Sequence, residues 1–103
     1  MLFLVHIRHD GAHCPGYRPE VLPKWVEALE RRHEIAAKLG VKLHGMYSML
    51  PEHGEVAIVE ADAPTQIAGL VTQLLPSEQA EIIMTPVTPV EEMPALARQT
   101  SGG

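Results

Sequence analysis

Cysteine, aromatic residues and basic clusters are scarce in this chain, and each scarcity excludes a class of protein. The 103 residues contain one cysteine, so no disulfide forms within the chain and a cytoplasmic location is expected. Eight Lys and Arg stand against 13 Asp and Glu, and a net charge of −5 argues against nucleic-acid binding, which needs basic clusters. No apolar run approaches the length of a membrane span, so no membrane partner is expected.

The few aromatic residues leave the core to Leu, Val, Ile, Ala and Met, whose spacing predicts four strands and two helices. The predicted elements are a strand over 2–8, a helix over 22–39 ended by Gly40, strands over 41–49 and 55–61, a helix over 64–75 and a strand over 80–87. A turn at 51–54 joins the two middle strands as a hairpin. This β-α-β-β-α-β order is that of a ferredoxin-like α+β subunit.

Two helices can cover only one face of a four-stranded sheet. The other face is predicted to carry Leu2 and Leu4 of the first strand or their neighbours, with Met and Ile residues of the other strands, and an apolar sheet face is unstable in water. A symmetric homodimer, with the two sheets face to face, would bury it. We therefore expect a ferredoxin-like domain over 1–90, a C-terminal arm with a flexible tail over 91–103, and a homodimer.

Three segments of the chain resemble the dimeric α+β barrel superfamily. They are the opening Met1-Leu2-Phe3-Leu4-Val5, the hairpin end Val59-Glu60-Ala61-Asp62-Ala63 and the closing Thr85-Pro86-Val87. That superfamily includes muconolactone isomerase-like enzymes and small cofactor-free monooxygenase-like enzymes. The resemblance implies a dimeric α+β barrel and a small-molecule substrate. Its motifs are structural, so it carries over no catalytic residue.

The histidines predict a metal site where the first strand runs into a loop. The candidate ligands are His9, His13, Cys14, His44 and His53. Imidazole and thiolate are the donors that zinc, copper and nickel prefer, and three or four must converge at about 2.0–2.3 Å. The competing interpretation is structural, since His53 precedes a glycine in a turn and a lone cysteine is often a small buried apolar residue.

A metal-free alternative uses acid–base chemistry by His6 and Glu60. Both are predicted to lie among apolar neighbours on adjacent strands, where desolvation raises the pKa of a carboxyl group and suits it to proton transfer. The competing interpretation is that Glu60 points outward or forms a structural ion pair with Arg8.

Two further interpretations remain open from the sequence. Cys14 could act as a nucleophile with its pKa lowered by a neighbouring histidine, although Pro15 restricts the backbone at that position. The domain could also be a non-catalytic module that binds a small molecule.

Overall fold

Four strands and four α-helices make up the computed structural model of this chain, which describes residues 1–10, 14, 18–75 and 80–102, the last two by backbone alone. The elements are β1 (Leu2–Arg8), α1 (Leu22–Glu30), α2 (Arg32–Lys38), β2 (Lys42–Met49), β3 (Gly54–Glu60), α3 (Pro64–Leu74), β4 (Glu81–Val87) and α4 (Met93–Gly102). Short 3₁₀ turns precede β3 and α4.

All strand pairs among the described residues are antiparallel, and the strands lie in the order β2-β3-β1-β4. The structure is therefore an α+β fold with an open four-stranded sheet, as predicted, and it is consistent with a ferredoxin-like fold. Pro86 lies in the edge strand β4, where a residue without an N–H costs no ladder hydrogen bond.

The core lies between one face of the sheet and the helices. Phe3, Val5 and Ile7 alternate along β1 and are 5%, 1% and 2% exposed. Ile67 of α3 is fully buried against this face, at 0% exposure. The period of two in the sequence separated the two faces of β1, and the structure shows that Phe3, Val5 and Ile7 form the buried one.

The prediction of a single helix over 22–39 was wrong, because the helix is interrupted at Arg31 (φ −98°, ψ 13°). The Nη1 atom of Arg32 donates to the carbonyl oxygen of Leu29 at 2.9 Å and so satisfies an acceptor at the end of α1. The predicted stop at Gly40 is confirmed. Gly40 has φ +73°, and the Val41 N–H donates to the Ala36 oxygen at 2.9 Å, which is a Schellman ending.

The second sheet face carries no helix in the described part of the chain. Leu2, Leu4 and Ile58 are half-buried there, while Ile83 is 48% exposed. The exposed α4 forms where the sequence predicted an arm and a flexible tail. No helix among the described residues is long and apolar enough to cross a membrane.

Candidate functional site

Three of the predicted metal ligands lie together at one end of the sheet. The ligand atoms of His9, Cys14 and His53 are all within 4.8 Å of one another. The His9 N–H donates to the His53 carbonyl oxygen at 3.1 Å, which extends the β1–β3 pairing beyond Arg8. The two rings lie 5.9 Å apart between centroids at 64°. Two imidazoles and one thiol therefore converge from a strand end, a loop and a hairpin.

The hairpin reaches this geometry through an unusual backbone. His53 has φ +50° and ψ +50°, the left-handed conformation that is uncommon outside glycine and in which asparagine, aspartate and histidine are enriched. Gly54 follows, and a Cβ atom added to it would lie 2.6 Å from the Ile7 carbonyl oxygen. The close approach of β3 to β1 thus depends on glycine and holds His53 opposite His9.

His9 is buried, at 9% exposure, directly after the end of β1. Burial lowers the pKa of its imidazole, and His53 lowers it further, while Asp10 acts in the opposite direction. Its buried Nε2 atom has no hydrogen-bond partner among the described residues. A neutral imidazole is the form that binds a metal ion.

Among the described residues, the predicted ligand His44 is not part of this group. His44 lies at a bulge in β2, and its Nε2 contacts the Glu60 Oε1 at 3.2 Å. His13 lies outside the described residues. His9, Cys14 and His53 are therefore the members of the predicted set that the structure brings together.

His6 and Glu60 share the uncovered sheet face but lie at different positions along it. His6 is opposite Val56 and Glu60 is opposite Leu2. Glu60 is exposed and contacts His44, whereas the Nε2 atom of His6 is buried and has no hydrogen-bond partner in the described ranges. Acid–base chemistry by these two residues stays a prediction.

The buried carboxylate of β3 is Glu55, which was not among the predicted site residues. It lies opposite Ile7, is 4% exposed, and its Oε2 atom has no hydrogen-bond partner in the described part of the structure. Burial alone raises the pKa of this carboxyl group. Alternation with Ala57 and Val59 was the signal that assigns Glu55 to the covered face.

We expect Glu55→Met to raise the free energy of unfolding by about 1–3 kcal/mol at pH 7, because an ionised carboxylate is costly where it lacks a partner. The folded protein holds this proton to a higher pH than the unfolded chain does. The wild type therefore loses stability as the pH rises from the pKa of Glu55 in the unfolded chain through its higher pKa in the folded protein. The gain of the variant shrinks towards pH 4.

Urea unfolding at pH 4 and pH 7 measures this difference. Glu60→Gln is the matched control, because Glu60 ends the same strand but is exposed. An equal gain for Glu55→Met at both pH values would contradict the burial argument.

Comparison with known proteins identifies a family and no activity. No curated protein matches the chain. The profile of DUF3303, a domain of unknown function, matches residues 1–101, which is nearly the whole chain. The protein therefore belongs to the DUF3303 family.

Proposed function

We propose that this protein binds a transition metal, namely zinc, copper or nickel, through His9, Cys14 and His53, and uses it to bind or transform a small molecule. The observation that carries the proposal is the convergence of the three ligand atoms within 4.8 Å. The buried Nε2 atom of His9, which lacks a partner among the described residues, supports it independently.

The donor set favours these metals on chemical grounds. A thiolate with two imidazoles suits borderline and soft ions, whereas magnesium and calcium prefer oxygen donors. Three protein ligands leave a fourth position of a tetrahedral site for water or a substrate. When bound there, the metal would act as a Lewis acid on a coordinated oxygen atom. The protein's own part is to lower the pKa of the His9 imidazole by burial and to restrict water around it.

We also infer a ferredoxin-like subunit that pairs into a dimeric α+β barrel. The strand order β2-β3-β1-β4 is compatible with that subunit. Leu4, Ile58 and Ile83 form an apolar surface on the sheet face opposite the core, and burial against a second copy would remove it from water.

The alternative of metal-free chemistry by His6 and Glu60 has less support. The Oε1 atom of Glu60 contacts the Nε2 atom of His44 at 3.2 Å. Glu60 also lies four residues along β3 from Val56, the residue paired with His6. A span of four residues is about 13 Å along a strand.

Elemental analysis of untagged protein, together with its mass in solution, tests the proposal. We expect about one zinc, copper or nickel per 11.3 kDa subunit and a mass of two subunits. Calorimetric titration of metal-free protein with zinc should show an affinity lower by on the order of 100-fold in Cys14→Ser, because loss of a ligand costs at least as much as loss of an outer-shell contact.

His44→Asn is the matched control, since His44 lies outside the three-residue group. Its zinc affinity should equal that of the wild type. Absence of stoichiometric metal after reconstitution, or equal losses in the two variants, would refute the metal site.

A further inference from the structure

A second cleft lies beside the edge strand β2, apart from the three-residue group. It encloses about 240 Å³ between α2 and the bulge that interrupts β2 pairing between Leu43 and Gly45. Its lining includes Arg32, His33, His44, Gly45, Met46 and Tyr47. Bulges are frequent beside binding sites, because they redirect side chains at the edge of a sheet.

Arg32 is the charged residue that lines this cleft, and the Glu60 carboxylate lies beside it, 3.2 Å from the ring of His44 in the lining. No described residue that lines it is acidic, and Arg32 forms no ion pair with any described carboxylate. The Nη1 atom of Arg32 is held by the Leu29 oxygen, which leaves Nε and Nη2 as donors on a fixed guanidinium. His33 is exposed at the same opening.

The neighbouring groove between α1, α2 and α3 shows the opposite arrangement. Its residue Arg31 contacts Glu34 at 3.1 Å, and its residue Lys38 contacts the same carboxylate at 3.3 Å. Consecutive arginines thus face different surroundings: Arg31 contacts Glu34, whereas Arg32 forms no ion pair with a carboxylate of the described residues. In a chain of net charge −5, a guanidinium at a cleft that forms no ion pair with a described carboxylate is suited to an anion.

An aromatic ring forms part of the wall of the cleft. A Cβ atom added to Gly45 would lie 3.1 Å from the Tyr47 Oη and 3.2 Å from its Cε2, so the ring lies against the glycine backbone. Tyr47 is 66% exposed, and Met46 lines the same space. A flat apolar group could cover this exposed ring and lose contact with water.

We propose that the cleft beside β2 binds a small organic anion whose carboxylate contacts Arg32 and His33 and whose flat apolar part packs on Tyr47. The site is separate from the proposed metal site and does not depend on it. Bidentate contact with a planar carboxylate matches the geometry of the guanidinium.

Amide NMR titration of the full chain with benzoate tests the proposal. We expect saturable shifts at residues 32–33 and 43–47, with a dissociation constant on the order of 1 mM. Affinity should fall roughly tenfold in Arg32→Gln, the scale of one charge-assisted hydrogen bond. His33→Ala should weaken binding in the same direction and keeps the test valid if Arg32→Gln disturbs the end of α1.

Arg31→Gln is the control, because it removes the same charge from the adjacent residue that faces Glu34. It should bind benzoate as the wild type does. Benzyl alcohol, which lacks the anion, and inorganic phosphate, which lacks the ring, should each bind more weakly. Shifts that do not saturate, equal losses in the Arg31 and Arg32 variants, or equal binding of either analogue would overturn the proposal.

Discussion

Zinc is expected to raise the free energy of unfolding of the wild-type protein by about 2.7 kcal/mol at a free concentration 100-fold above its dissociation constant, and His53→Asn is expected to abolish this gain. The gain follows from linkage, because the ligand set formed by the fold binds the metal and the unfolded chain binds it less well. The measurement is thermal or urea unfolding with zinc and with a chelator.

Asparagine is the informative replacement at His53 because of the backbone there. With φ +50°, most residues would add strain at this position, whereas asparagine adopts the left-handed conformation readily. The variant therefore removes the imidazole with little change to the hairpin. His44→Asn is the control and should keep the zinc response. A full zinc response in His53→Asn would show that the metal binds elsewhere.

Gly54→Ala is expected to lower the free energy of unfolding by about 1–3 kcal/mol, the cost of forcing an atom into a filled site. The new Cβ would lie 2.6 Å from the Ile7 carbonyl oxygen, which is backbone in the central strand pairing and cannot rotate away. Strands β1 and β3 must then separate at the end that holds His9 and His53. We therefore expect zinc affinity to fall together with stability.

Gly69→Ala is the matched control for this variant. Gly69 lies in α3, and an added Cβ would meet the Leu39 side chain at 3.6 Å, an ordinary contact. Alanine in a helix interior is more favourable than glycine by about 0.5–1 kcal/mol, so this control should stabilise the protein. Urea unfolding of both variants gives the comparison. A Gly54→Ala protein as stable as the wild type would contradict the close approach seen in the structure.

Local patterns in the sequence predicted the four strands and most of the helical residues, but they missed the interruption at Arg31 and the helix α4. Alternation identified β1 and separated its two faces, and Gly40 identified a helix end, because both signals lie within a few residues. The interruption at Arg31 was missed, since Arg32 continues the helical pattern while its side chain satisfies Leu29. The residues around Arg31 include no glycine or proline that would predict an interruption of the helix.

The candidate site divides in the same way. His9 and Cys14 are near neighbours in the chain, so their proximity could be proposed from sequence. His53 joined the candidates as one histidine among several, and His44 was an equal candidate until pairing register separated them. Alternation along β3 could have predicted that Glu55 faces the core. That its Oε2 atom is buried without a hydrogen-bond partner among the described residues is a property of the tertiary packing.

The sequence by itself determined the α+β class, the position of most strands and helices, and the kinds of donor available to a metal. These follow from periodicity and composition, which act over short stretches of chain. Only the tertiary structure decided which histidines meet, because antiparallel register joins residues more than forty positions apart. The tertiary structure also places His44 apart from His9 and in contact with Glu60. His44 lines a cleft that no local sequence pattern predicts.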